Sequence, residues 1–301
     1  MMHRDLSIID ILKFASENHS LSEVVSLRTE GDMHRYNYTD CLSRVCKLAN
    51  ALVGLGIKKG DRVATLAWNG YRHLELYYGI SGIGAVCHTI NPRLSPEQML
   101  YIIEHAGDRL LFVDTTFVPI IEKLIPKLPK NLVIIVMASS DDSSTLSDNF
   151  LNYEQLILES SHDIIWPELP ENTAAGLCYT SGTTGNPKGA LYSHRSTVLH
   201  ALTTSLNLGP SLGDGMKVLP VVPLFHVNAW GLPYAAPLTG TSLIFPGPNL
   251  DGASLFDLMD QENVNSAWGV PTVWLGLLEE IRKQERVPSQ FQNVVVGGSA
   301  A

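Results

Sequence analysis

The residues best equipped for chemistry lie in YTSGTTGNPKGALYSH, residues 179–194. From Thr180 the run reads Thr180, Ser181, Gly182, Thr183, Thr184, Gly185, and Lys188 follows with Gly189 behind it. Glycines let backbone N–H groups approach an anion closely, and hydroxyls with one cation complete the cradle, so the expected guest is a nucleotide phosphate. A Walker A loop needs G-x-x-x-x-G-K-[ST] opening a helix. Here Lys188 follows Pro187 and precedes Gly189, so neither the helix N-terminus nor the metal-binding hydroxyl of that loop is in its place.

The elements that must hold this run follow an alternating pattern. Apolar runs of strand length at 63–67, 110–113, 132–137, 176–180, 217–221, 242–245 and 293–296 alternate with helical periods at 40–55, 73–83, 117–128, 193–206, 254–261 and 272–283. This is the signature of an α/β protein with mostly parallel, buried strands. One unit shows the logic: Ser95 caps a helix, Pro96 takes its first position and Gln98 completes a capping box. Met99, Leu100, Ile102, Ile103 and Ala106 then make the apolar face, and Gly107 stops it. The Ser/Asp-rich stretch 139–148 reads as a surface loop. The final NVVVGGSAA reads as a strand entering a turn, which raises the expectation that the chain ends before its domain does.

Composition narrows the function classes. The chain has 301 residues, 45% of them hydrophobic, and a formal net charge of −9, so it has no global basic field for nucleic acid. A polyanionic ligand must therefore be held by local groups. Cys41, Cys46, Cys87 and Cys178 lack C-x-x-C spacing and read as buried thiols of a reducing, cytoplasmic protein. The longest apolar stretch, 219–238, contains four prolines, so a transmembrane segment is not expected. His73, His88 and His105 have no ligand spacing, and Lys58, Lys59 and Arg62 read as a solvated basic face. His194 and Arg195 read as structural. There is no dimer motif, and a homodimer stays open.

YTSGTTGNPKG resembles the phosphate-loop signature of the acyl-adenylate-forming (AMP-dependent synthetase/ligase) superfamily, which includes acyl-CoA synthetases, nonribosomal peptide adenylation domains and firefly-type luciferases. The resemblance continues in GLGIKKGDRVATLAWN (54–69), LPVVPLFHVNAWG (219–231), WGVPTVW (268–274) and VVVGGSAA (294–301). Within the superfamily, PLFHVNAW is most similar to bacterial fatty-acyl-CoA synthetases and their methylmercaptopropionate-activating relatives. The resemblance implies a layered αβαβα N-terminal domain, incomplete here. About 60–210 would form one α/β subdomain with the phosphate loop, 1–59 and 211–301 the second, and the small C-terminal domain would lie outside the chain.

The implied reaction joins a small-molecule carboxylate to coenzyme A through an acyl-adenylate, using ATP and Mg2+. Its first half brings an anion to a polyanion, so charge neutralisation and alignment matter more than an acid/base pair. By resemblance the loop from Thr180 to Lys188 grips the β- and γ-phosphates, and the Thr180 hydroxyl meets magnesium. Read alone, His226 is a core histidine satisfied by a carbonyl; the resemblance instead sets it beside the reacting carboxylate and α-phosphate. Trp230 resembles an aromatic gate of an acyl tunnel, with plain core packing as the alternative. Trp268, Gly269 and Val270 would line the acyl and CoA side, and Gly297, Gly298, Ser299 and Ala300 would seat adenine. For these 301 residues alone, a nucleotide- or acyl-binding module without turnover is the competing expectation.

Overall fold

The computed structural model describes residues 3–140, 150–180 and 186–298. In chain order its elements are α1 (Ile8–Asn18), β1 (Glu23–Leu27), β2 (Met33–Asn37), α2 (Tyr38–Gly54), β3 (Arg62–Leu66), α3 (Tyr71–Gly82), β4 (Val86–Thr89), α4 (Pro96–Ala106), β5 (Asp108–Asp114), α5 (Val118–Leu124), β6 (Val133–Met137), β7 (Leu151–Asn152), α6 (Tyr153–Glu159), β8 (Ala174–Thr180), β9 (Lys188–Ser193), α7 (His194–Asn207), β10 (Lys217–Pro220), α8 (Leu232–Thr239), β11 (Ser242–Phe245), α9 (Gly252–Gln261), β12 (Ser266–Gly269), α10 (Pro271–Gln284) and β13 (Asn293–Val296). The chain divides into two units: Met1–Asp10, Leu42–Ala67 and Arg72–Val198 in the first, and Ile11–Cys41, Trp68–Tyr71 and Leu199–Ala301 in the second.

Among the described residues the first unit holds a seven-stranded sheet in the order β7-β6-β5-β3-β4-β8-β9. Every pairing in it is parallel except β8 with β9. Burial on both faces explains why most of β5 and β6 read as unbroken apolar runs rather than alternating ones. Met99, Ile102 and Ile103 of α4 pack with Leu111 and Val113 of β5 and with Ile121 of α5. Each such side chain contributes about 1.5–3 kcal/mol on burial.

α4 starts and stops where its residues dictate. Ser95 accepts from the Gln98 N–H at 3.3 Å, and the Gln98 side chain accepts from the Ser95 N–H at 3.1 Å, closing the capping box. Gly107 ends the helix at φ 66°, a left-handed conformation that favours glycine. The expectation of a solvated basic face fails for Arg62: its guanidinium donates to the carbonyls of Gly60, Ala106 and Gly107, filling acceptors that the helix end leaves open. The stretch read as one helix over 117–128 is broken into α5 flanked by 3-10 turns: Pro119 sits in the first turn of α5, where no donor is needed, and Pro126 removes the donor that would carry the α-helix on.

A partly buried ionic network ties the helices of the first unit together. Arg44 reaches Glu75 at 2.7 Å and Glu154 at 3.0 Å, Arg72 meets Glu154 at 2.8 Å, and the Tyr153 hydroxyl donates to Glu75 at 2.6 Å.

The second unit carries a six-stranded sheet in the order β13-β12-β10-β11-β1-β2, parallel apart from β1 with β2. Leu219, Ile244, Phe256 and Trp274 belong to its core beneath α9 and α10. Of the cysteines, Cys41, Cys87 and Cys178 are buried and Cys46 is half-buried. Among the described residues no helix is long and apolar enough to cross a membrane.

Candidate functional site

In the first unit, the run that opened the sequence reading becomes the mouth of an antiparallel hairpin. β8 and β9 pair from Ala174↔Ser193 to Thr180↔Lys188, and the segment from Ser181 to Gly185, with its expected phosphate contacts, lies outside the described residues. Lys188 therefore opens a strand, not a helix, which is the structural counterpart of the missing Walker A geometry. Thr180 and Lys188 are both exposed at the mouth, and the Thr180 hydroxyl donates to the Lys188 carbonyl at 3.4 Å.

The hairpin's footing is polar and runs from the surface into the core. Burial raises the pKa of the Tyr179 phenol, and its hydroxyl shares a hydrogen bond with His105 Nδ1 at 2.7 Å. The Tyr179 ring lies 5.1 Å from that of His88, whose Nδ1 meets Asp108 Oδ2 at 2.8 Å with both side chains fully buried. Burial raises the pKa of Asp108, and His88 opposes that shift. The histidines without ligand spacing are thus packing and hydrogen-bonding groups: His73 Nε2 likewise pairs with the Thr65 hydroxyl at 2.9 Å.

Downstream of β9, Ser193 and Ser196 exchange backbone and side-chain hydrogen bonds at 3.0 and 3.1 Å and start α7. His194 is fully buried, and its Nδ1 accepts the Ile8 N–H at 3.1 Å. Burial pushes its pKa down to about 4. Arg195 bonds Glu171 through its backbone and its side chain, so both residues anchor the hairpin, in keeping with their structural reading.

In the second unit, the remaining site segments leave the carboxyl ends of parallel strands, where α/β sheets present ligand contacts. Beyond Pro220, the backbone N–H groups of Val221 and Val222 both donate to the Trp268 carbonyl at 2.9 Å. Asn69 then pins the loop: its amide donates to the carbonyls of Pro220 at 2.7 Å and Val222 at 2.9 Å, and its Oδ1 accepts the Leu224 N–H at 2.7 Å. His226 follows with an exposed side chain, which removes the core-histidine alternative. From Val227 to Trp230, four consecutive residues other than glycine hold φ between 47° and 55°, and Gly231 continues at 81°. Left-handed backbone costs L-residues roughly 1–2 kcal/mol each, so this turn stores several kcal/mol.

The half-buried Trp230 rests on the turn after β13. A methyl group built on Gly297 would lie 2.9 Å from its Cη2, and one on Gly298 would lie 3.2 Å from Val270 Cγ1. Gly231 is equally constrained, since a methyl group there would sit 2.5 Å from His200 Nδ1. Gly269 lies against the Trp274 ring, and its carbonyl accepts the indole N–H at 3.2 Å. Trp268 is 1% exposed and donates to the Ser266 hydroxyl at 3.3 Å, so its side chain belongs to the core and its carbonyl ties the loop. The structure thus brings Trp230, Val270, Gly297 and Gly298 together in one unit and Thr180 with Lys188 in the other. Ser299 and Ala300 lie outside the described residues.

Sequence reasoning missed Asn69. An asparagine before a glycine reads as a turn, and its partners lie more than 150 residues away.

The sequence pattern of AMP-binding enzymes matches residues 14–301. The chain is 48% identical to the medium-chain-fatty-acid–CoA ligase of Ectopseudomonas oleovorans over 100% of its own length and 55% of that protein's. It is 44% identical to the 3-methylmercaptopropionyl-CoA ligase of Ruegeria lacuscaerulensis, covering 100% of this chain and 56% of that one. It therefore spans little more than half the length of these curated relatives. Among solved structures, the inhibitor-bound N-terminal domain of FACL13 from Mycobacterium tuberculosis shares its fold with a TM-score of 0.80 at 23% identity, over 98% of this chain and 70% of that one.

Proposed function

Because the chain belongs to the AMP-binding enzyme family, we propose that it carries the ATP- and acyl-handling part of an AMP-forming ligase that activates a medium- or long-chain fatty acid and passes it to coenzyme A. The carrying observation is the alignment of the whole chain, at 48% identity, with a medium-chain-fatty-acid–CoA ligase. We read the two units as subdomains of an N-terminal adenylation domain working in the cytoplasm.

In the first half-reaction a carboxylate oxygen attacks the α-phosphorus of ATP, and pyrophosphate leaves. In the second the CoA thiol attacks the acyl carbon, and AMP leaves. Lys188, exposed at the hairpin mouth, neutralises charge on the β- and γ-phosphates together with residues 181–185, and the β8–β9 ladder behind it holds that cation in line. Magnesium, when bound, shields the same phosphates. The exposed Thr180 hydroxyl is a hard oxygen of the kind Mg2+ accepts, and phosphate oxygens and water ordinarily supply most of its remaining ligands.

His226 donates a hydrogen bond toward the reacting oxygens without giving up its proton, and the Asn69-pinned loop fixes where that donor stands. Gly297 and Gly298, with Ser299 and Ala300, offer a flat seat for adenine, and Trp230 on Gly297 closes the acyl entrance. Val270 faces the acyl and CoA side together with the Gly269 backbone, while Trp268 acts there through its carbonyl.

A second reading, activation of a short sulfur-containing carboxylate, draws on the 44% identity to the methylmercaptopropionyl-CoA ligase. ATP–pyrophosphate exchange by a chain containing these residues, tested with acids from propionate to stearate and with methylmercaptopropionate, separates the two. Strongest exchange with medium or long fatty acids is expected. Strongest exchange with methylmercaptopropionate favours the second reading, and no exchange with any carboxylate overturns both.

A further inference from the structure

Asn69 is followed by Gly70, and the two form the one Asn-Gly pair in the chain. That pair has a chemistry of its own. Glycine has no Cβ to crowd its nitrogen and its backbone turns freely, so in loosened chain the Gly70 nitrogen can reach the Asn69 side-chain carbon, Cγ. The N–Cγ bond forms, the Cγ–Nδ2 bond breaks, and ammonia leaves with the proton that the Gly70 nitrogen gives up. Water then opens the cyclic imide. Opening at Cγ leaves aspartate; opening at the main-chain carbonyl leaves isoaspartate, whose backbone runs through the side chain. Nothing is oxidised or reduced, and water is the one co-reactant.

The native fold holds this pair closed. Asn69 is 5% exposed, and all three hydrogen bonds of its amide go to the segment from Pro220 to Leu224. The backbone on either side is tied as well: the Asn69 carbonyl accepts the Gly247 N–H at 3.2 Å, and the Tyr71 N–H donates to the Ser26 hydroxyl at 2.9 Å. A side chain bonded to three distant groups cannot enter a five-membered ring with the next residue, so ring closure waits for the loop to open. Residues 221–226 are irregular backbone ending in the exposed His226, the kind of segment that opens at less cost than the whole fold.

Once modified, the loop cannot be pinned again. A carboxylate only accepts hydrogen bonds, and an oxygen in the place of Nδ2 would face the Pro220 and Val222 carbonyls at 2.7 and 2.9 Å. Isoaspartate adds a methylene to the backbone beside the same contacts.

We propose that Asn69 is a deamidation site gated by local opening of the 220–226 loop, and that its modification releases this loop irreversibly. The chemistry needs only water and holds whatever reaction His226 serves. Gly70→Ala isolates the mechanism, because a methyl group there meets no atom within 4 Å and Gly70 has no left-handed φ, while the added carbon crowds the attacking nitrogen.

The test follows deamidation by peptide mass spectrometry at mildly alkaline pH, in a cooperatively unfolding chain that contains these residues, folded and in strong urea. In urea, Asn69 should be the first asparagine converted, and Gly70→Ala should slow it roughly tenfold or more. In the folded chain Asn69 should again react first, more slowly than in urea. Its folded rate should still exceed, by about tenfold or more, the urea rate multiplied by the globally unfolded fraction, which a urea titration supplies. The deamidated fraction, separated by its extra negative charge, should exchange amide hydrogens faster at 220–226 and not in β8 or β9. Equal rates in folded and unfolded chain overturn the proposal, as does a folded rate no higher than global unfolding supplies. Earlier reaction at another asparagine, undiminished reaction in Gly70→Ala, or unchanged exchange at 220–226 in the deamidated fraction overturns it as well.

Discussion

The hairpin of the first unit and the His226 loop of the second place exposed polar groups by opposite means. Lys188 and Thr180 stand at the end of a ladder of backbone pairs running from Ala174 to Ser193, with half-buried Tyr179 and anchored His194 behind it. His226 stands on irregular backbone, two residues beyond the last group that Asn69 holds and one before a left-handed turn. Many weak, redundant bonds fix the first position, whereas the approach to the second hangs on two bonds to the Trp268 carbonyl and three bonds from the Asn69 side chain. Redundancy predicts tolerance to substitution; dependence on one side chain for three bonds predicts fragility.

The sharpest way to break the contrast is Asn69→Ala. It leaves two carbonyls and one N–H without their partner, and at about 1 kcal/mol or more each we expect a loss of about 3–4 kcal/mol. Hydrogen exchange should rise at residues 220–226 and stay unchanged in β8 and β9; equal loosening of both regions would mean that the pin is not local.

The hairpin's anchor is sensitive to acid. Because the folded pKa of His194, about 4, lies below its unfolded value, the folded state holds back a proton that the unfolded chain takes up. This contribution is intact above about pH 6.5 and is lost as pH falls toward 4, to a total of about 3 kcal/mol at 1.36 kcal/mol per pH unit. Urea midpoints of the native chain should drop between pH 7 and pH 5, and His194→Asn, which keeps an acceptor for the Ile8 N–H, should flatten that slope.

Lys188→Ala should leave the ladder and the unfolding midpoint unchanged. In a chain competent for exchange it should weaken apparent ATP affinity by the roughly 1.5–3 kcal/mol of one charge-assisted bond, about ten- to 150-fold. An unaltered ATP dependence would remove Lys188 from the phosphate grip. Gly297→Ala should cost about 1–2 kcal/mol through collision with Trp230, and most of that loss should disappear in a Trp230→Ala background. Additive losses would show that the two do not touch in solution.

The hairpin was the more legible of the two regions. The apolar run at 176–180 marked β8, and the Pro-Lys-Gly sequence excluded a helix start, although the return segment was not recognised as the strand β9. β6, β11 and β13, rich in β-branched or aliphatic residues, declared themselves, whereas β1 (EVVSL) was passed over. β4 (VCHT) and β12 (SAWG) did not, because small or polar residues in them are buried by sheet neighbours distant in sequence. α1, α6 and α8 were likewise passed over; α8, buried nearly all round, has little amphipathic period to detect. At the His226 loop the motif named the residues, but neither the Asn69 pin nor the left-handed turn could be read. Both depend on contacts between segments far apart in the chain, which local propensity does not encode.

That turn can also be viewed through chirality. Residues 227–231 trace a path that mirror-image amino acids would follow without penalty, so each L side chain there works against its own handedness. An achiral residue removes the conflict. Val227 is the clearest case, being β-branched and 44% exposed, so that little burial is lost with its side chain. Val227→Gly should therefore raise the unfolding free energy by about 1 kcal/mol, a stabilising glycine in a position where glycine usually weakens a fold.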